Sequence, residues 1–313
     1  MSNGKPFLSY AQQMRLLRDE KKLVIADDTY ANDVLHRLGY YALISGYKEL
    51  FRNKTLKRYR DGTTFEEIVA LYQFDADLRE LFLKYLLQIE QNMRSLLSYC
   101  FTEQHGNSQS EYLDASNYNN SMANAVGLQK LIKDLRYIAV QSNDYNYITH
   151  QRKNYGNVPL WALVKVLTFG KISKMFAVFP QNLQSKVCRN FSGVTQRELT
   201  QYLRVLTKFR NVCAHSERLF SYTVTDSIPD TPLHKKLGIS QRGAQYMYGK
   251  RDLFSVVIAF RYLLPKSDFN DFKSRLSRLI GKFLENIEHA TYEELLHKMG
   301  FPLNWKKISK YKL

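Results

Sequence analysis

An all-α fold is what this chain predicts, and three observations carry the prediction. Apolar residues recur every three or four positions through most of its 313 residues, Thr-x-x-Glu boxes stand in front of several of those runs, and strand-like alternation is scarce. With 44% hydrophobic and 24% charged residues, the composition is that of a core-forming chain and excludes the disordered and collagen-like classes.

The elements follow in order. Two helical patterns lie near residues 9–23 and 28–51, divided by the Asp27-Asp28 cap signal. Thr64 with Glu67 then opens the clearest helix, whose stripe of Ile68, Leu71, Leu78, Phe82, Leu86, Ile89, Met93 and Leu97 runs on to a stop at Gly106. Residues 104–126, rich in Asn, Ser and Tyr, read as an irregular connection. Further helices are expected over 126–140, from Pro159 to Gly170, and over 170–179 and 181–190. A second box, Thr195 with Glu198, starts the helix that ends in KFRNVCAH. LFSYTVT (219–225) is the one candidate strand and 227–232 is a loop. Helices over 250–264, 267–288 and 291–299 complete the chain, the last behind a third box, Thr291 with Glu294. No linker rich in Pro, Gly or Ser separates two halves, so one helical body is expected.

The formal net charge of +17 is unevenly placed. Residues 1–120 hold 15 basic and 16 acidic side chains, so the whole excess belongs to 121–313. Such clustering suits a polyanion partner, because Lys and Arg contacts to phosphate release counterions. Three cysteines without C-x-x-C spacing, Cys100, Cys188 and Cys213, argue against both a disulfide framework and a zinc site. No apolar run approaches the ~20 residues of a membrane span, and no secretory signal is seen at the start, so the expected location is the cytoplasm and no membrane is involved.

The chemistry concentrates in Arg210, Asn211 and His215. On a helical wheel Arg210 lies about 40° from Leu206, inside the apolar stripe of Leu199, Tyr202, Leu203 and Cys213. A guanidinium there must meet a carboxylate, a wet cleft or an anion. Asn211 and His215 share another face, so the three reach one site only if the helix stops near Ala214 or a second chain completes it. Glu90, paired with Arg94 at i,i+4 on the long helix, is a candidate partner for Arg210. Asp75 and Arg79 are expected to tie helices together. Trp161 is assigned to the core, and Tyr residues interleaved with cations, as in RYR (58–60), KNY (153–155) and QYMYGKR (245–251), could stack unpaired bases. Isolated His289 and His297, and Asp75 with Asp77 on opposite helix sides, make no metal set; neither metal nor other cofactor is expected.

The string KFRNVCAH (208–215) resembles the Arg-polar-His motif of HEPN domains, a helical nuclease superfamily. Five further strings extend the likeness to bacterial abortive-infection proteins of the AbiD/AbiF-like group: LHRLGYYALISGY (35–47), RDGTTFEEI (60–68), LYQFDADLRELF (71–82), IEQNMRS (89–95) and VPLWALVKVLTFGKIS (158–173). Ser216 departs from the pattern, since such proteins often carry a second His there. The resemblance implies a HEPN-like bundle over 63–225, including the insertion 104–126, flanked by N-terminal helices (1–62) and C-terminal basic helices (226–313). It also implies a metal-independent endoribonuclease leaving 2′,3′-cyclic phosphate and 5′-OH ends, with Arg210, Asn211 and His215 catalytic. A homodimer with a composite cleft is implied too, because the chain holds a single motif. A small structured non-coding RNA is the implied regulator, held by basic residues such as Arg204, Lys208, Arg218, Lys235, Lys236, Arg242, Lys250 and Arg251. A catalytically silent RNA-binding protein and a protein-interaction scaffold are the alternatives.

Overall fold

A computed structural model describes residues 6–312. The chain forms fourteen α-helices among those residues: α1 (Tyr10–Arg15), α2 (Asp28–Leu38), α3 (Phe65–His105), α4 (Gln109–Leu113), α5 (Met122–Arg136), α6 (Asn146–Tyr155), α7 (Leu160–Leu163), α8 (Phe169–Val178), α9 (Gln181–Cys188), α10 (Gln196–Ala214), α11 (Pro232–Lys236), α12 (Leu253–Leu263), α13 (Lys266–Leu284) and α14 (Tyr292–Met299). Two two-stranded antiparallel hairpins accompany them, β1 (Arg52–Asn53) with β2 (Arg58–Tyr59) and β3 (Gln241–Arg242) with β4 (Gln245–Tyr246). The fold is all-α.

Local signals place the main helices well. Thr64 Oγ1 accepts from the Glu67 amide while the Glu67 carboxylate accepts from the Thr64 amide, and the same reciprocal pair opens α10 and α14. The 41-residue α3 is the axis of the molecule. Its buried stripe, from Phe65 through Phe101, packs against α10 and α13, with α7, α8 and α9 alongside. Helix α12 is buried nearly all round, as its unbroken apolar sequence requires. One continuous hydrophobic core runs from Leu17 to Ile308.

Several expectations are corrected. The pattern over 28–51 breaks at Gly39, whose φ of 77° lies in the left-handed region that favours glycine, and continues as a π-helical turn (Tyr41–Ser45) and a short 3₁₀ turn. The connection 104–126 contains α4, a 3₁₀ turn and the start of α5. The helix expected from Pro159 to Gly170 is two pieces, because Thr168 caps a new helix that contains Gly170. Residues 146–155, not assigned from sequence, are helical. The candidate strand at 219–225 does not form: the Leu219 and Phe220 amides donate to the Asp75 carboxylate at 2.6–3.1 Å, the Tyr222 amide turns back to the Leu219 carbonyl at 3.0 Å and the Val224 amide donates to the Arg251 carbonyl at 2.9 Å. Trp161 is not in the core but 49% exposed; the buried tryptophan is Trp305.

Candidate functional site

Helix α10 delivers the three residues of interest at its last turn. Leu199, Tyr202, Leu203, Leu206, Phe209 and Cys213 bury its inner face against α3, α8 and α12. The helix stops at Ala214, and the stop has the geometry of a Schellman motif. The Glu217 amide reaches back to the Val212 carbonyl at 3.1 Å, and Ser216 sits at φ 55°, in the left-handed region usually held by Gly. His215 is the capping residue, with its amide donating to the Asn211 carbonyl at 2.9 Å. Asn211, His215 and Ser216 are exposed. The residue at 216 is therefore the one that turns the chain, which ties the Ser-for-His departure to backbone geometry as well as to proton transfer.

Arg210 is held from below. Its Nε donates to Glu90 Oε2 at 3.2 Å, while Arg94 Nη2 donates to Glu90 Oε1 at 2.5 Å and to the Leu167 carbonyl at 2.7 Å. Glu90 is 1% exposed, so this is a buried carboxylate shared by two guanidiniums; the Arg210 side chain retains 27% of its exposure. Anchoring through Nε leaves the two terminal nitrogens of Arg210 without a partner among the described residues. A guanidinium fixed at one edge presents the planar fork that binds a phosphate.

A second buried carboxylate positions the segment after His215. Asp75 accepts from the Tyr47 hydroxyl at 2.7 Å, Arg79 Nη1 at 2.7 Å and the Leu219 and Phe220 amides. Burial pushes the Asp75 carboxyl above the usual carboxylate range, while the Tyr47 hydroxyl, the two amides and Arg79 pull the other way. Arg79 also donates to the Glu217 carbonyl at 3.3 Å, so Asp75 and Arg79 together clamp 217–220 to α3. Tyr47 carries no sequence signal for this role; the pairing spans 28 residues and a broken helix.

The other groups fall as follows. Burial raises the Cys213 thiol to about 12 and Cys188 to about 11, which makes neither a nucleophile at neutral pH. Among the described residues no group of three His, Cys, Asp or Glu is arranged to hold a metal ion, and no helix is long and apolar enough to cross a membrane. His289 is not isolated, as its Nδ1 lies 2.8 Å from the buried Glu67 carboxylate that also closes the α3 cap. Of the cations expected to hold RNA, Arg204, Lys235, Arg242 and Arg251 are exposed. Lys208 pairs with Asp226 at 2.6 Å and Lys250 with Asp230 at 2.5 Å; Arg218 donates to the Gly46 carbonyl and Lys236 to the Lys312 carbonyl. Lys250 and Arg251 share a cleft of about 600 Å³ with Tyr246, Thr223 and Asp230. Tyr59, from the RYR string, is buried and cannot stack on a base; Tyr155 is exposed.

Comparison with known proteins assigns the class of this molecule. Residues 33–221, which contain α3, α10 and the whole Glu90–Arg210 cluster, match the family described as Abi-like protein. The chain belongs to that family, and so at a coarse level to the abortive-infection class of phage defence. No curated protein and no solved structure matches the chain.

Proposed function

We propose that the protein is a metal-independent HEPN-type endoribonuclease that acts as a toxin in abortive infection, in the cytoplasm and as a homodimer. One observation carries this reading: Arg210 is fixed through Nε by a buried carboxylate with its terminal nitrogens free, one turn from solvent-facing His215. RNA carries its own nucleophile. The 2′-OH attacks the adjacent phosphorus, the P–O5′ bond breaks, and a 2′,3′-cyclic phosphate and a 5′-OH form. His215 moves the proton, since an imidazole nitrogen can both accept and donate one. Arg210 holds the charge that builds on the phosphate oxygens, and Asn211 orients the phosphate or the ring.

On a straight helix Asn211 and His215 lie about 100–140° around from Arg210. A composite cleft between two α10 ends supplies the missing convergence, which supports the dimer. The basic excess of residues 121–313 supports a bound structured RNA, with Arg204, Lys235, Arg242 and Arg251 as its free contacts.

The test is cleavage of end-labelled RNA by purified protein, with His215→Ala and Arg210→Ala beside it. Each variant is expected to lose about 10²–10³ in rate while salt-sensitive RNA binding stays within severalfold. Full cleavage by His215→Ala overturns the nuclease; binding without cleavage by the parent protein would make it a silent RNA-binding protein.

A further inference from the structure

The near-neutral charge of residues 1–120 conceals a local concentration of cations. Lys21, Lys48, Arg52, Lys57 and Arg58 all line one small cleft, together with Tyr40 and Tyr59. The chain builds it from the end of the first helical segment, the broken helix after Gly39 and the β1–β2 hairpin. The Tyr59 amide donates to the Lys21 carbonyl at 2.9 Å, which fastens the hairpin to the first segment. Lys57 stands in the hairpin turn at φ 54°, a conformation that a residue with a side chain adopts at some cost.

Two of the five cations have carboxylate partners. Arg52 meets Glu49 at 3.4 Å and Arg58 meets Asp61 at 3.2 Å, with the two carboxylates 40% and 83% exposed. Lys21, Lys48 and Lys57 have no ion-pair partner among the described residues. The three unpaired lysines on one cleft repel one another unless an anion joins them.

Tyr59, among the lining residues, is only 4% exposed. The cleft has a volume of about 60 Å³. One water needs about 10–15 Å³ on this measure, so the space admits a small anion such as a phosphate group.

We propose that this cleft binds a phosphate group, with Lys48, Lys57, Arg52 and Lys21 supplying the charge. The site belongs to the N-terminal segment and is distinct from the Arg210 cluster, so it stands whether or not that cluster cleaves RNA.

Calorimetric titration of the full chain with inorganic phosphate, at constant ionic strength in chloride, tests it. Saturable binding is expected. The triple variant Lys21→Ala/Lys48→Ala/Lys57→Ala should weaken it at least tenfold. Lys130→Ala/Lys133→Ala/Lys153→Ala, which removes the same charge from exposed positions elsewhere, should change it less than twofold. Adenosine 5′-monophosphate as a second titrant separates the sources: tighter binding than phosphate assigns the group to a nucleotide, equal binding to the free anion. Circular dichroism establishes that each variant is folded. The proposal is overturned if phosphate shows no saturable binding up to about 10 mM, or if both triple variants lose affinity equally.

Discussion

Glu90→Gln isolates the buried carboxylate beneath Arg210. The substitution keeps shape and volume and removes the charge that holds Arg94 at 2.5 Å and Arg210 at 3.2 Å. Breaking a buried ion pair by removing one partner costs about 3–5 kcal/mol. The two guanidiniums keep 18% and 27% of their exposure, so water recovers part of that loss. A net destabilisation of about 2–3 kcal/mol is expected, which is roughly a 30- to 150-fold change in the unfolding equilibrium. At about 2–4 °C per kcal/mol the melting temperature should fall by roughly 4–12 °C. Urea unfolding followed by circular dichroism measures the first quantity, and a calorimetric scan the second. A double-mutant cycle with Arg210→Met should return a coupling of about 1–2 kcal/mol, because the two side chains share one hydrogen bond. A Glu90→Gln protein within 0.5 kcal/mol of the parent, or a cycle with no coupling, would refute the view that this carboxylate anchors Arg210.

Four further outcomes follow from named contacts. Asp75→Asn removes the charge that accepts from Tyr47, Arg79 and the Leu219 and Phe220 amides; a loss of about 3–4 kcal/mol is expected, with those two amides exchanging hydrogen faster than in the parent. His234 is buried, accepting at Nδ1 from the Thr231 amide and donating from Nε2 to the Gly249 carbonyl, and burial lowers its pKa. Its contribution is therefore complete above the ordinary imidazole range and is lost as pH falls through the depressed value, so urea midpoints should drop between pH 7.5 and 5, and less so in His234→Gln. Gly300→Ala should cost at least about 2 kcal/mol, since its added carbon would sit 2.3 Å from Asp252 at φ 76°, whereas Gly193→Ala, at φ 67° in open space, should cost about 1. Ser216→Gly should stabilise by about 0.5–1 kcal/mol by relieving the left-handed residue of the α10 stop, measurable as a higher urea midpoint with unchanged slope.

What could be read along the chain was local. The three Thr-x-x-Glu boxes mark the true starts of α3, α10 and α14, because a capping box is completed within four residues and needs no distant partner. The apolar stripe of α3 was legible for the same reason, and with it the all-α class. The demand for a counter-ion at Arg210 could also be seen, from its place among Leu199, Leu203 and Leu206. The failures share a cause as well. Residues 219–225 alternate as a strand would, but the Leu219 and Phe220 amides are taken by a carboxylate about 144 residues earlier and the Val224 amide by the Arg251 carbonyl. Trp161 looked like core by composition, yet its face of the short helix α7 is left outside.

The site divides along the same line. By itself the sequence determined that Arg210 lies on the apolar side of its helix and that Asn211 and His215 lie elsewhere, since helical periodicity alone sets those angles. Tertiary structure decided that Glu90 holds Arg210 by one edge, that Asp75 clamps the chain just past His215, and that five cations of a near-neutral segment line one cleft. Those contacts join residues brought together only by packing, and charge counted along a chain carries no information about where it converges in space.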